Sequence, residues 1–402
     1  MEQKIKYQYT YFIYPFIISS KYDKYLLQLL YDKKCKVEFF EKEKDANMYT
    51  YFLPNVRKFL FKSFDYKKED VRKFNQLDYE KKLKILLKQD AVFFKYDIED
   101  TQAKIEKESG IFFNVSNIEI ICFKNKVAFL LIKTHLSEGS TISDLCNFVY
   151  KFRDVSLSIN NMKNFDNIKL QSENFSKVTK ITDIIKKLSG RSDNIKELNI
   201  ENERLYSYTY LCLDKEDWNK DLTKEFYKLT HVKEASYVVD LKESKKDYNI
   251  EDAKFTKFGI SKTNTIVLTA NSKTENYTKL AKRVEEEYLY HYIYEFYKKI
   301  CLKKIAYNFK KEINFDNTIK DYLYYTKEHL TEEVTNAKIG SMLENKWEEA
   351  FNIKTSLEKA NLLYDIMRKT KKENINKNIG NIIYILTFIM IVLSIINILM
   401  GL

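Results

Sequence analysis

The stretch Ile382–Leu402 reads IIYILTFIMIVLSIINILMGL and contains no charged residue over 21 positions. At about 1.5 Å of rise per residue, a helix of this length spans roughly 32 Å, close to the hydrocarbon thickness of a bilayer. A buried core helix is the alternative, but core helices are usually shorter and keep a polar edge. We therefore predict that residues 379–402 form a single transmembrane helix and that the lipid bilayer is a partner of this chain.

Positively charged residues precede this stretch and predict its orientation. They are Arg368, Lys369, Lys371, Lys372 and Lys377, against one acidic residue, Glu373. By the positive-inside rule, the N-terminal bulk of the chain lies in the cytoplasm, and these cations can contact anionic lipid headgroups. The N-terminus lacks the features of a signal peptide. The prediction is a tail-anchored, single-pass protein of the inner (plasma) membrane of a bacterial cell.

The composition of the 402 residues narrows the class of protein. Hydrophobic residues make up 45%, with only 7 Gly and 2 Pro, which excludes disordered and linker-rich designs and predicts long elements. The net charge is +12, but the surplus of Lys and Asn is typical of an AT-rich genome and says little about nucleic-acid binding. Acidic residues also interrupt the most basic run of the sequence, so nucleic acid is not an expected partner. Five scattered cysteines are expected to be reduced and mostly buried.

The first 270 residues predict a mixed α and β body. The first half contains a helix at Tyr22–Tyr31, and its strands are predicted at Tyr7–Ile18, Lys36–Phe40, Ile111–Phe123 and Val127–Thr134. The second half repeats this order with a helix at Trp218–Leu229 and strands at Tyr206–Leu213, Ser236–Leu241, Phe255–Ile260 and Thr265–Thr269. Two tandem β-α-β-hairpin units explain the repetition, and a coincidence of short runs explains it equally simply.

The predicted fold class is therefore α+β: a cytoplasmic α/β body followed by long C-terminal helices and one transmembrane helix. The predicted domains are unit 1 at 1–170, a helical connector at 171–203, unit 2 at 204–271, a long-helix stalk region at 272–378 and the transmembrane helix at 379–402. A tyrosine-rich helix is expected over residues 276–311.

A continuous rod is expected from Met342 into the membrane, with Gly380 as its only candidate joint. Apolar residues recur at steps of three and four in this segment: Ala350, Ile353, Leu357, Ala360, Tyr364 and Met367. This spacing is typical of a coiled-coil seam between chains, but packing against helices of the same chain gives the same pattern.

Motifs for catalysis and for phosphate loops are missing from the sequence. The seven glycines never cluster, which excludes the Rossmann and Walker patterns and the serine-hydrolase elbow. We therefore predict no enzyme, no catalytic residues and no cofactor. The only candidate metal ligands are Glu287, His291 and Glu295, whose i, i+4, i+8 spacing places them on one helix face, where an ordinary solvated face is the alternative.

Polar residues within the apolar stretch suggest a role beyond anchoring. Thr387, Ser394 and Asn397 lie within about 80° of one another around a helix. Such a stripe can join helices of several copies or line a pore, whereas Ser and Thr can also bond their own backbone. A homo-oligomer is the prediction, and the sequence does not decide whether a pore forms.

The layout from Trp347 through Met367, Lys371 and Lys372 into Ile382–Leu402 resembles the CorA group of divalent-cation channels. That resemblance implies a cytoplasmic α/β domain and a stalk helix that continues into the membrane. The family's Gly-Met-Asn signature is replaced here by Met400-Gly401-Leu402, and the 402 residues hold no second apolar span. The resemblance therefore implies an architecture, with magnesium transport left unassigned.

Two functions follow as expectations. In the first, the body senses an unknown cytoplasmic ligand or protein partner and acts through its membrane helix, as a CorA-like channel or as a membrane effector, with antiviral defence conceivable by analogy. In the second, the protein is a recognition module for protein or nucleic acid, and its anchor is passive.

Overall fold

The computed structural model describes most of the chain. The described residues are 3–98, 101–105, 111–154, 168–171, 179–190, 194–201, 203–216, 222–240, 250–251, 256–329 and 333–400. Over these ranges the fold is mixed α+β, as predicted: a body built on a β-sheet is followed by long C-terminal helices, the last of which is long and apolar.

Twelve strands in the described ranges form one sheet. They are β1 Ile5–Ile17, β2 Cys35–Glu38, β3 Ala91–Tyr96, β4 Thr101–Ile105, β5 Phe112–Phe123, β6 Val127–Leu136, β7 Ile168–Gln171, β8 Thr179–Lys180, β9 Tyr206–Leu213, β10 Ile250–Glu251, β11 Thr256–Ile260 and β12 Asn264–Ala270. The spatial order is β10-β11-β12-β9-β1-β6-β5-β4-β7-β8, while β3 pairs with β5 and with β2 beside this path.

Strand β1 lies in the middle of the sheet, and its side chains alternate between two apolar cores. Tyr9 and Tyr11 belong to one core, and Phe12 and Phe16 belong to the other. Successive side chains of a strand point to opposite faces, so a strand that is apolar at nearly every position suits a sheet covered on both faces. This burial explains why Ile5–Ile17 carries so few polar residues.

The two halves of the chain share this one sheet, because β1 pairs antiparallel with both β6 and β9. In the first half β1 pairs antiparallel with the second strand of the hairpin, whereas in the second half β9 pairs parallel with β12. The direction of pairing therefore differs between the halves, which argues for chance similarity of short runs and against a duplicated unit.

Helices cover both faces of the sheet and form the C-terminal part. They are α1 Tyr22–Tyr31, α2 Ala46–Tyr51, α3 Pro54–Leu60, α4 Lys68–Gln76, α5 Tyr79–Leu86, α6 Ile142–Phe152, α7 Ile181–Ser189, α8 Asn194–Glu197, α9 Leu222–Thr230, α10 Lys279–Arg283, α11 Leu289–Lys310, α12 Phe315–Glu328, α13 Lys338–Phe351 and α14 Ile353–Met400, with short 3-10 turns at Lys62–Asp65 and Thr274–Tyr277. All five cysteines are buried and free, as predicted.

The predicted strand Ser236–Leu241 is wrong within the described residues. Residues 235–236 form a turn, residues 237–240 form no strand, and Leu241 lies outside the described ranges. Strand β9 already pairs with β1 on one edge and with β12 on the other, so no edge beside it is free for this segment. The β-prone side chain of Val238 is instead 88% exposed.

The tyrosine-rich helix predicted over 276–311 is confirmed, with one irregularity. A π-helical turn at Val284–Tyr288 joins α10 to α11. Aromatic rings hold α11 on the sheet: Tyr297 stacks on Phe123 with ring centroids 4.1 Å apart, and Tyr292 lies 5.5 Å from Tyr208. Because α11 is held in place by these contacts, the side chains on its other faces also have fixed positions.

The rod expected from Met342 begins later than predicted. Helix α13 ends at Phe351, Asn352 adopts a left-handed conformation with φ of 54°, and α14 starts at Ile353. Asn tolerates this conformation better than most residues, so it can turn the chain between two helices. From Ile353 the helix runs 48 residues without a break, including at Gly380, and extends about 72 Å.

The apolar seam of the rod packs within the same chain. Ile353 and Ala360 are buried in the core that contains α11, and Leu357, Tyr364 and Met367 pack against it. The spacing predicted either a coiled coil between chains or packing against helices of the same chain, and in the single chain the seam packs against its own helices.

Candidate functional site

Among the described residues, one helix is long and apolar enough to span a membrane. The segment Ile353–Ile396 contains a window of mean hydropathy 2.5 that is 0% buried against the rest of the chain. A soluble domain rarely exposes an apolar surface of this extent without a partner. The first turns of the same helix are anchored in the body, so α14 joins the apolar segment to the core directly.

The polar residues of the apolar segment bond their own helix in the described part of the chain. The Thr387 hydroxyl donates to the carbonyl of Ile383, and the Ser394 hydroxyl donates to the carbonyl of Met390, both at 2.8 Å. The side chain of Asn397 lies outside the described residues. The stripe therefore has local partners, and each hydroxyl oxygen still has a lone pair for a donor from another helix.

The basic residues before the apolar segment are exposed along α14. Arg368, Lys369, Lys372 and Lys377 point into solvent. Lys371 differs, because its ammonium forms an ion pair with Asp316 at 2.7 Å and lies 4.5 Å from the centre of the Phe315 ring. This contact is the last one we observe between the body and the helix before the apolar segment.

A buried polar cluster contains two of the three predicted metal ligands. His291 and Glu295 lie one turn apart on α11 and are joined by Glu344 of α13, with potential ligand atoms all within 4.8 Å of one another. The Nε2 atom of His291 lies 4.0 Å from Glu295 Oε1 and 3.8 Å from Glu344 Oε2. The Tyr51 hydroxyl contacts His291 Nδ1 at 2.8 Å, which orients the ring.

Glu287, the third predicted ligand, lies outside this cluster. Its carboxylate accepts a hydrogen bond from Arg283 Nε at 2.9 Å. The i, i+4, i+8 prediction assumed a regular α-helix, but Glu287 belongs to the π-helical turn, which changes the angle between successive residues. Glu344 takes the third place, and its distance in sequence made it impossible to find from helix spacing.

A lysine already balances the charge of the buried cluster. The Lys298 ammonium lies 2.8 Å from Glu295 Oε1 and 3.8 Å from Glu344 Oε1, and its side chain is 3% exposed. The pKa of Glu295 is raised to about 7, mainly by burial and also by the charge on Glu344, against the lowering effect of Lys298. Burial also keeps the pKa of His291 well below its ordinary value, so this imidazole is neutral.

This arrangement can hold a divalent ion only if Lys298 moves. A metal bound to His291 and Glu295 needs its donor atoms about 2.0–2.2 Å away, in the place that the ammonium shares. Without a metal, Lys298 and one ionised carboxylate form a neutral buried pair, and the second carboxyl can keep its proton. The chain therefore balances the charge of this cluster by itself, whereas the buried atoms His291 Nε2 and Glu295 Oε2 have no hydrogen-bond partner among the described residues.

A second feature, not anticipated from the sequence, is a cavity of about 960 Å³ at the base of α14. It lies between α8, α11 and the turn from α13 to α14, where Asn352, Thr355 and Ser356 form part of its wall. Among the described residues, Glu197 is the one acidic residue of its lining. Six lysines line it: Lys262, Lys299, Lys303, Lys310, Lys311 and Lys359.

The positive charges of the cavity have no acidic partners in the described part of the chain: no ion pair within 4.0 Å involves any of the six lysines. The Glu197 carboxylate accepts a hydrogen bond from Tyr307, and Lys303 donates to the carbonyl of Asn199 at 2.8 Å. The pKa of Lys299 is lowered to about 8, mainly by burial and also by the positive charges of Lys303 and Lys262. The lining of this cavity therefore carries an excess of positive charge.

The cavity could not be predicted from the sequence, because its lysines come from three separate parts of the chain: the β11–β12 turn, α11 with its C-terminal end, and α14. Only Lys299 and Lys303 show a signal, as like charges at i, i+4 on one helix. Neither a protein-family model, nor a curated protein, nor a solved structure matches this chain.

Proposed function

We propose that this is a non-enzymatic, tail-anchored protein of the inner membrane that works as a homo-oligomer. Its α+β body lies in the cytoplasm and binds a ligand or a protein partner there. The helix α14 carries the resulting change to the membrane. The exposed cations Arg368, Lys369, Lys372 and Lys377 support this orientation, because they precede the apolar segment on the side of the body.

The observation that carries the proposal is the continuity of α14. Ile353 and Ala360 are buried in the core, and the same uninterrupted helix continues into the exposed apolar segment. A helix transmits a displacement of its base along its whole length, because its backbone hydrogen bonds keep it stiff. Sensing in the body and action in the membrane are thereby linked without a hinge.

Crosslinking of the full chain in native membranes tests the oligomer. The proposal expects crosslinked species that resist alkaline carbonate extraction, with a pattern that changes when cell extract is added. A product that carbonate releases into the supernatant contradicts the membrane location. A strictly monomeric product, with and without extract, contradicts the oligomer.

A passive anchor is the second candidate, and one observation favours it: the Thr387 and Ser394 hydroxyls already bond their own backbone. Replacing Ile382–Leu402 by an unrelated apolar span of equal length separates the two candidates. If the oligomer and its response to extract survive the replacement, the segment is a tether. If both are lost while membrane insertion persists, the segment has a specific role.

A further inference from the structure

The cavity at the base of α14 has a strong excess of positive charge in its lining. Its walls hold six lysines and one glutamate, and that glutamate is already engaged by Tyr307. Lysine ammonium groups bind phosphate oxygens as point charges, and an excess of unpaired cations in a concave site attracts polyanions. A single monovalent anion would leave most of this charge uncompensated.

Lys299 shows most clearly that a partner is missing. Its ammonium lies 4.8 Å from the ring centre of Phe351, 5.4 Å from that of Phe296 and 5.5 Å from that of Tyr206. These rings attract a cation weakly and supply no negative charge. The head group is thus held among aromatic faces at the cavity wall, with no carboxylate within ion-pair distance in the described residues.

Polar groups of the α13–α14 turn complement the lysines. Thr355 and Ser356, in the first turn of α14, line the cavity together with Lys359 one turn later. The N-terminal turn of a helix carries a partial positive charge and free N–H groups, which adds to the attraction of an anion by the lysines. The ligand would therefore contact α11 on one side and α14 on the other.

The distance to the apolar segment indicates where the ligand comes from. Lys359 precedes Ile382 by 23 residues of continuous helix, which corresponds to about 35 Å. The polar headgroup region on one side of a bilayer is only about 5–8 Å thick. A phospholipid that stays in the bilayer cannot reach the cavity when α14 stands near the membrane normal, whereas a soluble molecule can.

We infer that this cavity binds a soluble small molecule carrying several phosphate groups, and that this molecule is the ligand sensed by the body. The inference rests on the proposed function and gives the ligand its chemical class. A volume of about 960 Å³ is at the upper end of small-molecule sites, which leaves room for a nucleotide-sized ligand. The ligand bridges Lys299 and Lys303 of α11 to Lys359 of α14, so its binding acts directly on the base of α14.

Titration calorimetry on the full chain in phosphatidylcholine nanodiscs tests this inference with inorganic tripolyphosphate as the probe. The test variant is Lys299→Gln/Lys303→Gln, and the matched control is Lys320→Gln/Lys327→Gln, which removes two exposed lysines of α12 outside the cavity. We expect the test variant to bind at least about 10-fold more weakly and the control to bind like the unmodified chain, because a hydrogen bond between charged groups contributes about a factor of ten or more.

Proton uptake gives an independent readout. A bound anion raises the pKa of Lys299 from about 8, so binding at pH 8 takes up protons, and the calorimetric enthalpy then depends on the ionisation enthalpy of the buffer. The test variant should lose this buffer dependence. A second variant, Lys310→Gln/Lys359→Gln, changes only exposed side chains and keeps the test valid if Lys299 proves necessary for folding.

Equal binding by the test variant and the control overturns the inference, as does the absence of any tripolyphosphate binding. If tripolyphosphate fails while phosphatidylglycerol in the nanodisc protects the cavity lysines from acetylation, the anion is a lipid headgroup and the soluble source is wrong. Tripolyphosphate could bind as expected without any change in the crosslinking pattern in membranes. That result would support the chemical class of the ligand but contradict the proposed transmission through α14.

Discussion

Tyr322 of α12 stacks on Tyr364 of α14, with ring centroids 4.6 Å apart and an angle of 26° between the planes. The Tyr322 hydroxyl also donates to Asn361 Oδ1 at 2.8 Å, and the Tyr364 ring lies 5.9 Å from Phe309 at the end of α11. These contacts clamp the base of the long helix between two helices of the body. The seam of α14 is therefore part of the core of its own chain.

Tyr364→Ala should loosen this clamp. We expect the free energy of unfolding to fall by about 1–3 kcal/mol, since a half-buried aromatic ring and its stacking partner are lost. Leu362→Ala is the matched control, because Leu362 lies on the same helix but is 60% exposed. Urea unfolding of the full chain in detergent, with hydrogen exchange of residues 357–371, measures both. Equal effects of the two substitutions would contradict the clamp.

The seam also shows how far the sequence could predict the structure. The spacing of Ile353, Leu357, Ala360, Tyr364 and Met367 predicts an apolar stripe, and the stripe exists. Spacing reports which residues share a face, but it carries no information on whether the partner helix belongs to the same chain. That depends on the positions of α11 and α12, which are set by contacts with the distant sheet.

In the sheet and in the buried cluster, too, local patterns predict elements but not the partners they pack against. Tyr206–Leu213 was predicted with its bounds correct because a run of apolar and aromatic residues is a local signal. Ser236–Leu241 carries a similar signal, yet β9 has no free edge to accept it. Glu344 likewise reaches His291 only through the packing of α13 on α11, which no local pattern records.

Replacing either of two glycines in the C-terminal helices by alanine should change the free energy of unfolding, but in opposite directions. A Cβ atom at Gly340 would lie 2.3 Å from Thr335 Cγ2 and 2.5 Å from the hydroxyl of Tyr51, whereas a Cβ atom at Gly380 meets nothing within 4 Å. Gly340→Ala should lower the free energy of unfolding by about 1–3 kcal/mol through overpacking. It should also move Tyr51 away from His291.

Gly380→Ala is the matched control for this pair. It should leave stability unchanged or raise it by up to about 1 kcal/mol, because alanine favours the helix more than glycine. Urea unfolding in detergent compares the two variants. Loss of membrane insertion or of crosslinking in Gly380→Ala would show that α14 needs flexibility at this position, against the continuous helix that we observe.

Buried carboxyls should make the folded state less stable as the pH rises through neutrality. Burial raises the pKa of Glu119 from 4.5 to about 7, and Tyr290 donates to its carboxylate at 3.0 Å. Because the folded-state pKa is raised, the favourable contribution is fully present below pH 4.5 and is lost as the pH rises through about 7. The loss amounts to at most about 3 kcal/mol.

Glu119→Gln removes this titration and keeps an oxygen that accepts from Tyr290. We expect unfolding free energies at pH 5 and pH 8 to differ less in the variant than in the unmodified chain. Glu295 and His291 titrate in both proteins, so the difference between the two pH profiles reports Glu119 together with its coupling to Glu38 and Glu285. Parallel profiles would mean that Glu119 has an ordinary pKa in the folded state.

The polar stripe of the apolar segment should contribute modestly to the proposed association between copies. The hydroxyls of Thr387 and Ser394 have acceptors within their own helix, so a bond to a neighbouring copy would use only their remaining lone pairs. Such bonds between membrane helices average about 0.6 kcal/mol. Thr387→Leu/Ser394→Leu should therefore weaken association by less than about tenfold without abolishing it.

Energy transfer between labelled copies in vesicles, followed as the ratio of protein to lipid is varied, measures this change. The control is Ile385→Leu/Val392→Leu, which has the same spacing of seven residues and lies on another face of α14. Complete loss of association in the Thr387/Ser394 variant alone would mean that the hydroxyls leave their own backbone to bond between copies. An effect equal to that of the control would mean that the two hydroxyls make no specific contribution to the contact between copies.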